Sequence, residues 1–476
     1  MKGLVVDLFA GGGGASTGIE AALRRPVDVA INHSETALAV HEANHPRTRH
    51  FVSDVFDISP KLATGGRPVA LLWLSPDCTH FSNAKGDVPR DQGIRSLAWV
   101  GVRWARDVRP QVIALENVRE FLTWGPLGPD GRPDKARKGE TFARWRGELE
   151  RLGYVVEHRI LDASEYGAPT KRKRLFVVAR CDGRPIRWPE PTHGPGRRPL
   201  RTAAECIDWS LPCPSIFERK RPLAEKTLWR IAQGIRRYVL ENPRPFLVGS
   251  ASPTLVQTGY GERPGQKPRA LDLHEPLGTV VSCGQKHALV AAFLSKHYGD
   301  PCRKKGGGAV IGSELTDPIG TITAKDHHSL AAVTLAKFRG THPSQPGSAS
   351  VDEPLPTISA GGIHVAEVRA FLTAYYGSDS TGGQLVTEPL RTLTAKHRLG
   401  LVTVAGVDYQ ITDIGLRMLE PHELLRAQFG EYAETYDLSA ARTKGDQVRL
   451  IGNSVCPHVA RAVVEVNVPL REARAA

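Results

Sequence analysis

The stretch that most constrains the fold is Leu4-Val5-Val6-Asp7-Leu8-Phe9, followed at once by Ala10-Gly11-Gly12-Gly13-Gly14 and then by a helix-like run from Ser16 to Leu23. A short apolar, β-branched run bounded by turn formers reads as a buried strand. Glycines after it let the backbone approach a ligand closely, and the N-terminus of the next helix faces that ligand. The layout predicts a nucleotide-type cofactor site. It serves equally well as a tight strand-to-helix connection. No Gly-Lys-Ser/Thr follows, so this is not a Walker loop.

The alternation continues. Asp28–Asn32, Phe51–Val55, Val69–Leu74, Val112–Leu115, Tyr154–Leu161 and Leu175–Ala179 read as strands, and Glu35–Asn44, Arg95–Val108 and Glu140–Leu152 as helices. This predicts an α/β domain with a doubly wound, Rossmann-like sheet, in which ligands and chemistry gather beyond the carboxyl ends of the strands. His33 and Glu35 follow the second strand, and Asp54 and Val55 end the third. Asp54 is placed either to face an adenine or to serve as a solvated turn residue. Ser75-Pro76-Asp77-Cys78-Thr79-His80-Phe81-Ser82 follows the fourth strand. A thiol there is a candidate nucleophile, although a lone cysteine is also often a small buried hydrophobe. Glu116-Asn117-Val118 ends the fifth strand, where a carboxylate beside a cleft is a candidate general acid or hydrogen-bond donor, or else a capping or salt-bridged residue. Residues 83–93 are polar, hold two glycines and have the composition of a mobile loop. Thr170-Lys171-Arg172-Lys173-Arg174 is a cationic run, read either as a solvated face or as a holder of phosphates or a base.

The chain of 476 residues carries a net charge of +13, which points to an anionic partner and first to nucleic acid. No apolar run is long enough to span a bilayer, and the N-terminus has no secretory pattern, so a cytoplasmic protein without a membrane partner is expected. Seven scattered cysteines without a C-x-x-C pair fit a reducing compartment and argue against a zinc site, and His327-His328 lacks further ligands at useful spacing, so no metal is expected. The proline-rich break from Cys181 to Arg201 marks a boundary. Beyond it, Glu275-Pro276-Leu277-Gly278-Thr279-Val280 recurs as 317–322, 353–358 and 388–393, each an acidic-proline turn feeding a short strand. Basic glycine loops such as 302–308 lie between the copies and suit phosphate or groove contact. The expected organisation is a catalytic and cofactor-binding domain over 1–185, a β-rich domain with four repeat-like units over 186–410, and a C-terminal segment over 411–476. In that last segment Leu416–Phe429 and His458–Val466 read as helices.

Taken together, these stretches resemble the DNA (cytosine-5)-methyltransferase family. Asp7-Leu8-Phe9-Ala10-Gly11-Gly12-Gly13-Gly14 is similar to its cofactor signature, and Ser75–Ser82 to its nucleophile motif. Glu116-Asn117-Val118 matches its Glu-Asn-Val triplet, and Arg172-x-Arg174 its arginine pair. Arg417-x-Leu419 through Glu423, Arg426 and Gln428-Phe429-Gly430 resembles its ninth motif, and Gly452-Asn453-Ser454-Val455 its tenth. The six occur in the family's order, with a long variable insert before the last two.

The resemblance implies a Rossmann-like S-adenosylmethionine-dependent methyltransferase domain, with residues about 190–410 as a target recognition domain. It implies Cys78 as nucleophile toward C6 of a flipped cytosine, Glu116 as hydrogen-bond partner of N3 and the exocyclic amine, and Arg172 and Arg174 against the base and the nucleophile. S-adenosylmethionine would lie over Phe9, Ala10, Gly11, Gly12 and Gly14. Glu35, Asp54, Val55, Pro76 and Leu97 would line its site, Asn453 and Ser454 would return to it, and His33 stands where the family has its acidic ribose ligand. Double-stranded DNA is the implied substrate. A separate cognate restriction endonuclease, monomeric action, and a bacterial or phage-encoded setting at the nucleoid belong to the same expectation.

Two further departures bear on chemistry. Asp77 stands where the family has proline before its cysteine, and a carboxylate there would raise the thiol pKa or reshape the cofactor pocket. Thr170 replaces the glutamine that opens the arginine motif. The competing readings are a tRNA-methylating relative, against which the long basic insert argues, a DNA binder with a vestigial catalytic domain, and transfer of a group other than methyl.

Overall fold

A computed structural model describes residues 3–77, 97–217, 219–242, 244–248, 251–259, 266–296 and 407–468, with short segments at 335–337, 348–349, 365–366 and 401–404. The chain forms two compact units. The first is Met1–Asp208, His274–Lys286 and Leu419–Ala476, and the second is Trp209–Leu273 and His287–Met418. The first thus takes in residues 186–208 and 274–286, which the sequence reading assigned to the second domain.

The first unit is built on strands β1 (Leu4–Leu8), β2 (Val29–Asn32), β3 (Arg49–Val52), β4 (Val69–Leu74), β5 (Val112–Asn117), β6 (Val155–Asp162), β7 (Thr170–Lys171) and β8 (Lys173–Arg180). Seven of them form one sheet in the order β3-β2-β1-β4-β5-β8-β6. The first five are parallel, and β8 runs antiparallel to both β5 and β6. Helices α1 (Gly14–Leu23), α2 (Glu35–Asn44), α3 (Pro60–Thr64), α4 (Trp99–Asp107) and α5 (Glu140–Arg151) alternate with the strands.

Parallel strands covered on both faces are apolar throughout, and all six residues of β4 and of β5 are buried. Val6, Leu8, Leu72 and Leu74 pack on one face with Trp104, Phe121 and Trp145. On the other face Val5, Leu71 and Trp73 meet Ile19 together with Val459 and Val463. Those two valines lie on the last of four further helices: α6 (Glu225–Ile235), α7 (Pro421–Phe429), α8 (Lys444–Asn453) and α9 (Pro457–Asn467). A Cβ added at Gly18 would lie 2.3 Å from the Pro457 carbonyl oxygen, so glycine lets α9 sit tightly on α1.

The strand order fixes where ligands go. β1 lies between β2 and β4, and the chain winds outward from it in both directions. The crevice beyond the carboxyl ends of β1 and β4 is therefore a topological switch point, where open α/β sheets bind ligands.

In the second unit, β9 (Ala251–Gln257), β10 (Ala270–Leu271), β12 (His287–Lys296), β16 (Leu401–Val404) and β17 (Val407–Met418) form an antiparallel sheet in the order β10-β9-β12-β17-β16. Ile231 and Ile235 of α6 pack with Val256, Val290 and Ile414 of that sheet. Strands β13 (Leu335–Lys337), β14 (Ser348–Ala349) and β15 (Val365–Ala366) pair separately in the order β14-β13-β15.

Two expectations are corrected. Leu416–Met418 is strand, paired with Val290, Leu289 and Ala288, and the helix begins only at Pro421. The pairing with the neighbouring strand decides this, and Pro421 at the first helical turn with a Glu420–Glu423 capping box resets the chain to helix. The first repeat copy is not a β unit of the second domain. Its Leu277-Gly278 (β11) pairs in parallel with β7 inside the first unit. The other three copies, the 302–308 loop and His327-His328 lie outside the described residues.

Candidate active site

The turn after β1 is shaped by left-handed backbone. Phe9, Gly11 and Gly13 have φ of 62°, 50° and 93°. Only glycine adopts such values without strain, so Phe9 is held there by its surroundings. The Ala10 amide donates to the Ile31 carbonyl at 3.2 Å, and the Gly13 amide closes the turn on the Ala10 carbonyl at 3.0 Å.

The four glycines do different work. A Cβ at Gly14 would meet the Val455 carbonyl oxygen at 2.3 Å, and one at Gly13 would meet the Tyr436 hydroxyl at 2.8 Å. One at Gly12 would make ordinary contacts of 3.6 Å with Leu450 and Ser454, and one at Gly11 would approach only the Phe9 carbonyl, at 3.7 Å. Gly13 and Gly14 thus admit other parts of the protein, while Gly11 opens onto the crevice. Gly14→Ala is therefore expected to destabilise the fold by about 2 kcal/mol or more and Gly12→Ala by less than about 1 kcal/mol. Paired denaturant titrations check this.

A cofactor with an adenine ring needs an apolar wall, and the structure supplies one. Phe9, Phe51 and Leu97 are partly buried against the same core cluster, which also includes Val55. Polar groups follow the ends of β2 and β3 and of α8. Asp54 is exposed, and its Oδ1 accepts from the Phe56 amide at 2.9 Å. His33 and Glu35 are exposed at the start of α2, which Ser34 caps by accepting from the Ala37 amide. Ser454 is buried. Its hydroxyl donates to the Leu450 carbonyl at 2.9 Å, and its own carbonyl accepts from Gln428 Nε2 at 2.8 Å. Asn453 beside it is exposed. This combination fits S-adenosylmethionine.

The loop after β4 is pinned from two sides. The Ser75 amide donates to the Leu8 carbonyl at 3.3 Å, and Asn117 Nδ2 donates to the Pro76 carbonyl at 3.0 Å. Pro76 is buried and Asp77 exposed. Cys78 and residues 79–96, with the loop expected over 83–93, lie outside the described residues.

Glu116, at the carboxyl end of β5, is buried, and Arg174 Nε lies 3.3 Å from its Oε1. Burial raises the Glu116 pKa, and the charges of Arg174 and then Arg172 oppose that rise. The cationic run is not a solvated face. Thr170 and Arg172 are buried while Lys171 and Lys173 are exposed, the alternation of a strand. Arg172 Nη1 donates to the Val280 carbonyl at 3.2 Å and to the Gly452 carbonyl at 3.1 Å. Of the two arginines, Arg174 makes the ion pair with Glu116, while Arg172 ties two distant segments to the start of β8.

Sequence reasoning did not single out Asn117 as the residue that holds Pro76, nor the 274–286 segment that Arg172 anchors. No local motif marks that segment, because its partners are remote in sequence. It also missed a buried polar cluster under the glycine turn, formed by Asp7, Ser16, His41 and His50. The faint signal for that cluster was polar residues recurring on otherwise apolar helix faces.

A mostly parallel, doubly wound sheet with its strand-end residues gathered at the switch point is consistent with a methyltransferase fold. Comparison with known proteins points the same way for the first part of the chain. A family model described as C-5 cytosine-specific DNA methylase matches residues 4–199. Over that stretch the chain is similar to the DNA (cytosine-5)-methyltransferase family. It is 32% identical over 209 residues to the type II methyltransferase M.SacI of Streptomyces achromogenes, covering 40% of this chain and 50% of that protein. It is 30% identical over 199 residues to M.AgeI of Thalassovita gelatinovora, covering 40% of this chain and 43% of that one. Against M.AquIA of Picosynechococcus it is 26% identical, over 42% of this chain and 80% of the relative. The chain thus spans about half the length of the first two curated relatives it matches.

Proposed function

We propose that this protein transfers a methyl group from S-adenosylmethionine to C5 of a flipped-out cytosine in double-stranded DNA, through a covalent bond between Cys78 and C6 of the base. The observation that carries the proposal is the buried Glu116–Arg174 pair at the end of β5, joined through Asn117 to the Pro76 loop that leads into Cys78. C5 of cytosine is too weak a nucleophile to take a methyl group unaided. Addition of a thiolate at C6 makes the C5 carbon enamine-like. Burial raises the Glu116 pKa, which suits it as a hydrogen-bond and proton donor toward N3, drawing charge from the ring as the Cys78–C6 bond forms. Arg174 holds that carboxyl in place and adds positive potential beside the ring. After transfer, loss of the C5 proton and expulsion of the Cys78 thiolate restore the aromatic base.

Gly11, Phe9, Phe51 and Leu97 would hold S-adenosylmethionine, which would supply the electrophilic methyl group. Asp54 and Glu35 are the groups assigned to hydrogen bonds with its adenosine. The second unit acts as the target recognition domain. Phe217 and Trp229 are among its exposed large hydrophobic residues, and Arg219, Lys220, Arg221 and Lys226 beside them in sequence are exposed. Cations with interleaved aromatics suit phosphate contact and stacking. Monomeric action in the cytoplasm, with any cognate endonuclease on a separate chain, completes the reading. No helix among the described residues is long and apolar enough to cross a membrane.

The test is nucleoside mass spectrometry after incubating the protein with S-adenosylmethionine and either mixed-sequence duplex DNA or tRNA. 5-Methylcytosine in DNA alone supports the proposal. Product in tRNA alone, or none in either, refutes it.

A further inference from the structure

Beneath the glycine turn lies a chain of buried polar groups that the proposed chemistry does not use. Ser16 Oγ on α1 is 2.8 Å from Asp7 Oδ2 on β1. His41 Nε2 on α2 is 3.0 Å from the same Ser16 hydroxyl, and His41 Nδ1 is 2.8 Å from His50 Nε2 on β3. Asp7, Ser16 and His41 are fully buried, whereas His50 is partly exposed. Four elements, β1, α1, α2 and β3, are therefore joined by three hydrogen bonds that run from a partly exposed histidine to a buried carboxyl.

The direction of those bonds follows from proton counting. When Asp7 is ionised, the single Ser16 proton goes to it, so Ser16 Oγ accepts from His41 Nε2–H. His41 is neutral, its pKa held well below the usual histidine value by burial and by the neighbouring His45 and His50. Its Nδ1 therefore accepts from His50 Nε2–H. Every donor points toward Asp7. A proton that binds His50 at Nδ1 reverses the whole chain: His50 passes its Nε2 proton to His41, His41 passes its own to Ser16, and Ser16 protonates Asp7. Each group ends with the same number of protons except Asp7, which has gained one.

The same cluster forms the underside of the turn. Thr17 Oγ1 donates to the Gly13 carbonyl at 2.9 Å and lies 3.3 Å from His45 Nε2, while His45 Nδ1 is 3.0 Å from Glu20. Tyr436 and His45 press against Gly13, which has no side chain to keep them off. Asp7 Oδ1 and the Tyr436 hydroxyl are buried without a hydrogen-bond partner. The ionised carboxyl is thus only half satisfied. The groups facing it are Ser16, His45 and Tyr436, with Glu20, His41, His50 and Glu42 in the shell around them. Burial pushes Asp7 up to about 7, against the pull of the Ser16 hydrogen bond and of His45.

We propose that Asp7, Ser16, His41 and His50 are positioning residues that form a buried proton path under the glycine turn, and that binding of a sulfonium cofactor over that turn expels one proton along the path. The proposal deepens the cofactor assignment above and rests on it. A cationic sulfur favours the ionised carboxyl, because opposite charges in a low-dielectric interior interact strongly. The thioether product has no such charge and leaves the proton in place. Cofactor exchange would then be linked to proton exchange, with affinity falling as pH drops below neutrality.

Isothermal titration calorimetry in two buffers of different ionisation enthalpy tests this directly. Near pH 7 the wild-type protein is expected to release up to about half a proton on binding S-adenosylmethionine, and markedly less on binding S-adenosylhomocysteine. Both ligands carry the same amino and carboxyl groups, so the difference isolates the sulfonium charge. From pH 8 to pH 6 the Kd for S-adenosylmethionine rises by about three- to ten-fold, within the tenfold-per-unit ceiling for one proton. Asp7→Asn abolishes both the release and the pH slope. His41→Phe removes the donor to Ser16 and moves the midpoint of release to higher pH, a shift that a merely structural role would not give. Binding with no proton release in the wild type, or equal release with both ligands, overturns the proposal while leaving the cofactor assignment intact. Failure of the wild type to bind S-adenosylmethionine would overturn the cofactor assignment itself.

Discussion

Cys78→Ala is expected to lower 5-methylcytosine formation by roughly 10⁴-fold or more, while retention of duplex DNA stays within about two-fold of wild type. The first figure is the scale on which removal of a single nucleophile acts, because the remaining site still binds and orients but no longer opens a covalent route. The second follows from where DNA affinity comes from. On the proposed reading, a net charge of +13 and exposed cations such as Arg219, Lys220, Arg221 and Lys226 would supply phosphate contacts that one thiol does not touch. Radiolabelled methyl transfer and a filter-binding titration at fixed salt measure the two quantities on one preparation. A variant that lost both together would mean that Cys78 is structural, as many lone cysteines are.

The two arginines of the Arg172-x-Arg174 pair are expected to separate just as clearly. Arg172→Ala should destabilise the fold by about 2–5 kcal/mol, because it removes a buried cation and leaves the Val280 and Gly452 carbonyls without their shared donor. Arg174→Ala should cost less, about 1–2 kcal/mol, since Arg174 is only partly buried and the Glu116 carboxyl left behind is relieved by taking up a proton. It should instead lower turnover by about 10²-fold, the scale of one general-acid or positioning contact. Loss of the Arg174 charge lets the Glu116 pKa rise further, so the residual activity should persist to higher pH before Glu116 ionises. Urea unfolding followed by turnover against pH distinguishes the two variants. Equal loss of stability in both would contradict the assignment of Arg172 to the scaffold and Arg174 to the reaction.

Much of the catalytic unit was legible because its signals are local. Val69–Leu74 and Val112–Leu115 are short apolar runs that only a strand covered on both faces uses, and both are fully buried. The glycine turn declared itself by composition, and Pro76 and Glu116 by their place after strands. What stayed hidden depends on partners far away in sequence. Gly14 was assigned to the cofactor, yet its missing side chain makes room for the Val455 carbonyl, which approaches from the other end of the chain. Arg172 is set against the base and the nucleophile by the resemblance alone, and nothing near it in sequence reveals that it also holds the Val280 and Gly452 carbonyls. Leu416–Met418 was taken for helix because three residues carry too little periodicity to separate 3.6 from 2, and only their pairing with Ala288–Val290 decides it. The first repeat copy shows the same limit. An acidic-proline turn with a short strand is a local unit, but its pairing with Thr170-Lys171 is set by the fold.

The measurement that bears most directly on the central claim is covalent trapping. Duplex DNA in which cytosine is replaced by 5-fluorocytosine lets the thiolate add and the methyl group transfer, but no proton remains on C5 to be lost, so elimination stops and the protein stays bound. Incubation with S-adenosylmethionine, digestion and mass spectrometry of the DNA-linked peptide should find the nucleotide on Cys78, and Cys78→Ala should give no adduct. Formation of 5-methylcytosine from ordinary duplex DNA with no trapped adduct, or an adduct on another residue, would contradict the account.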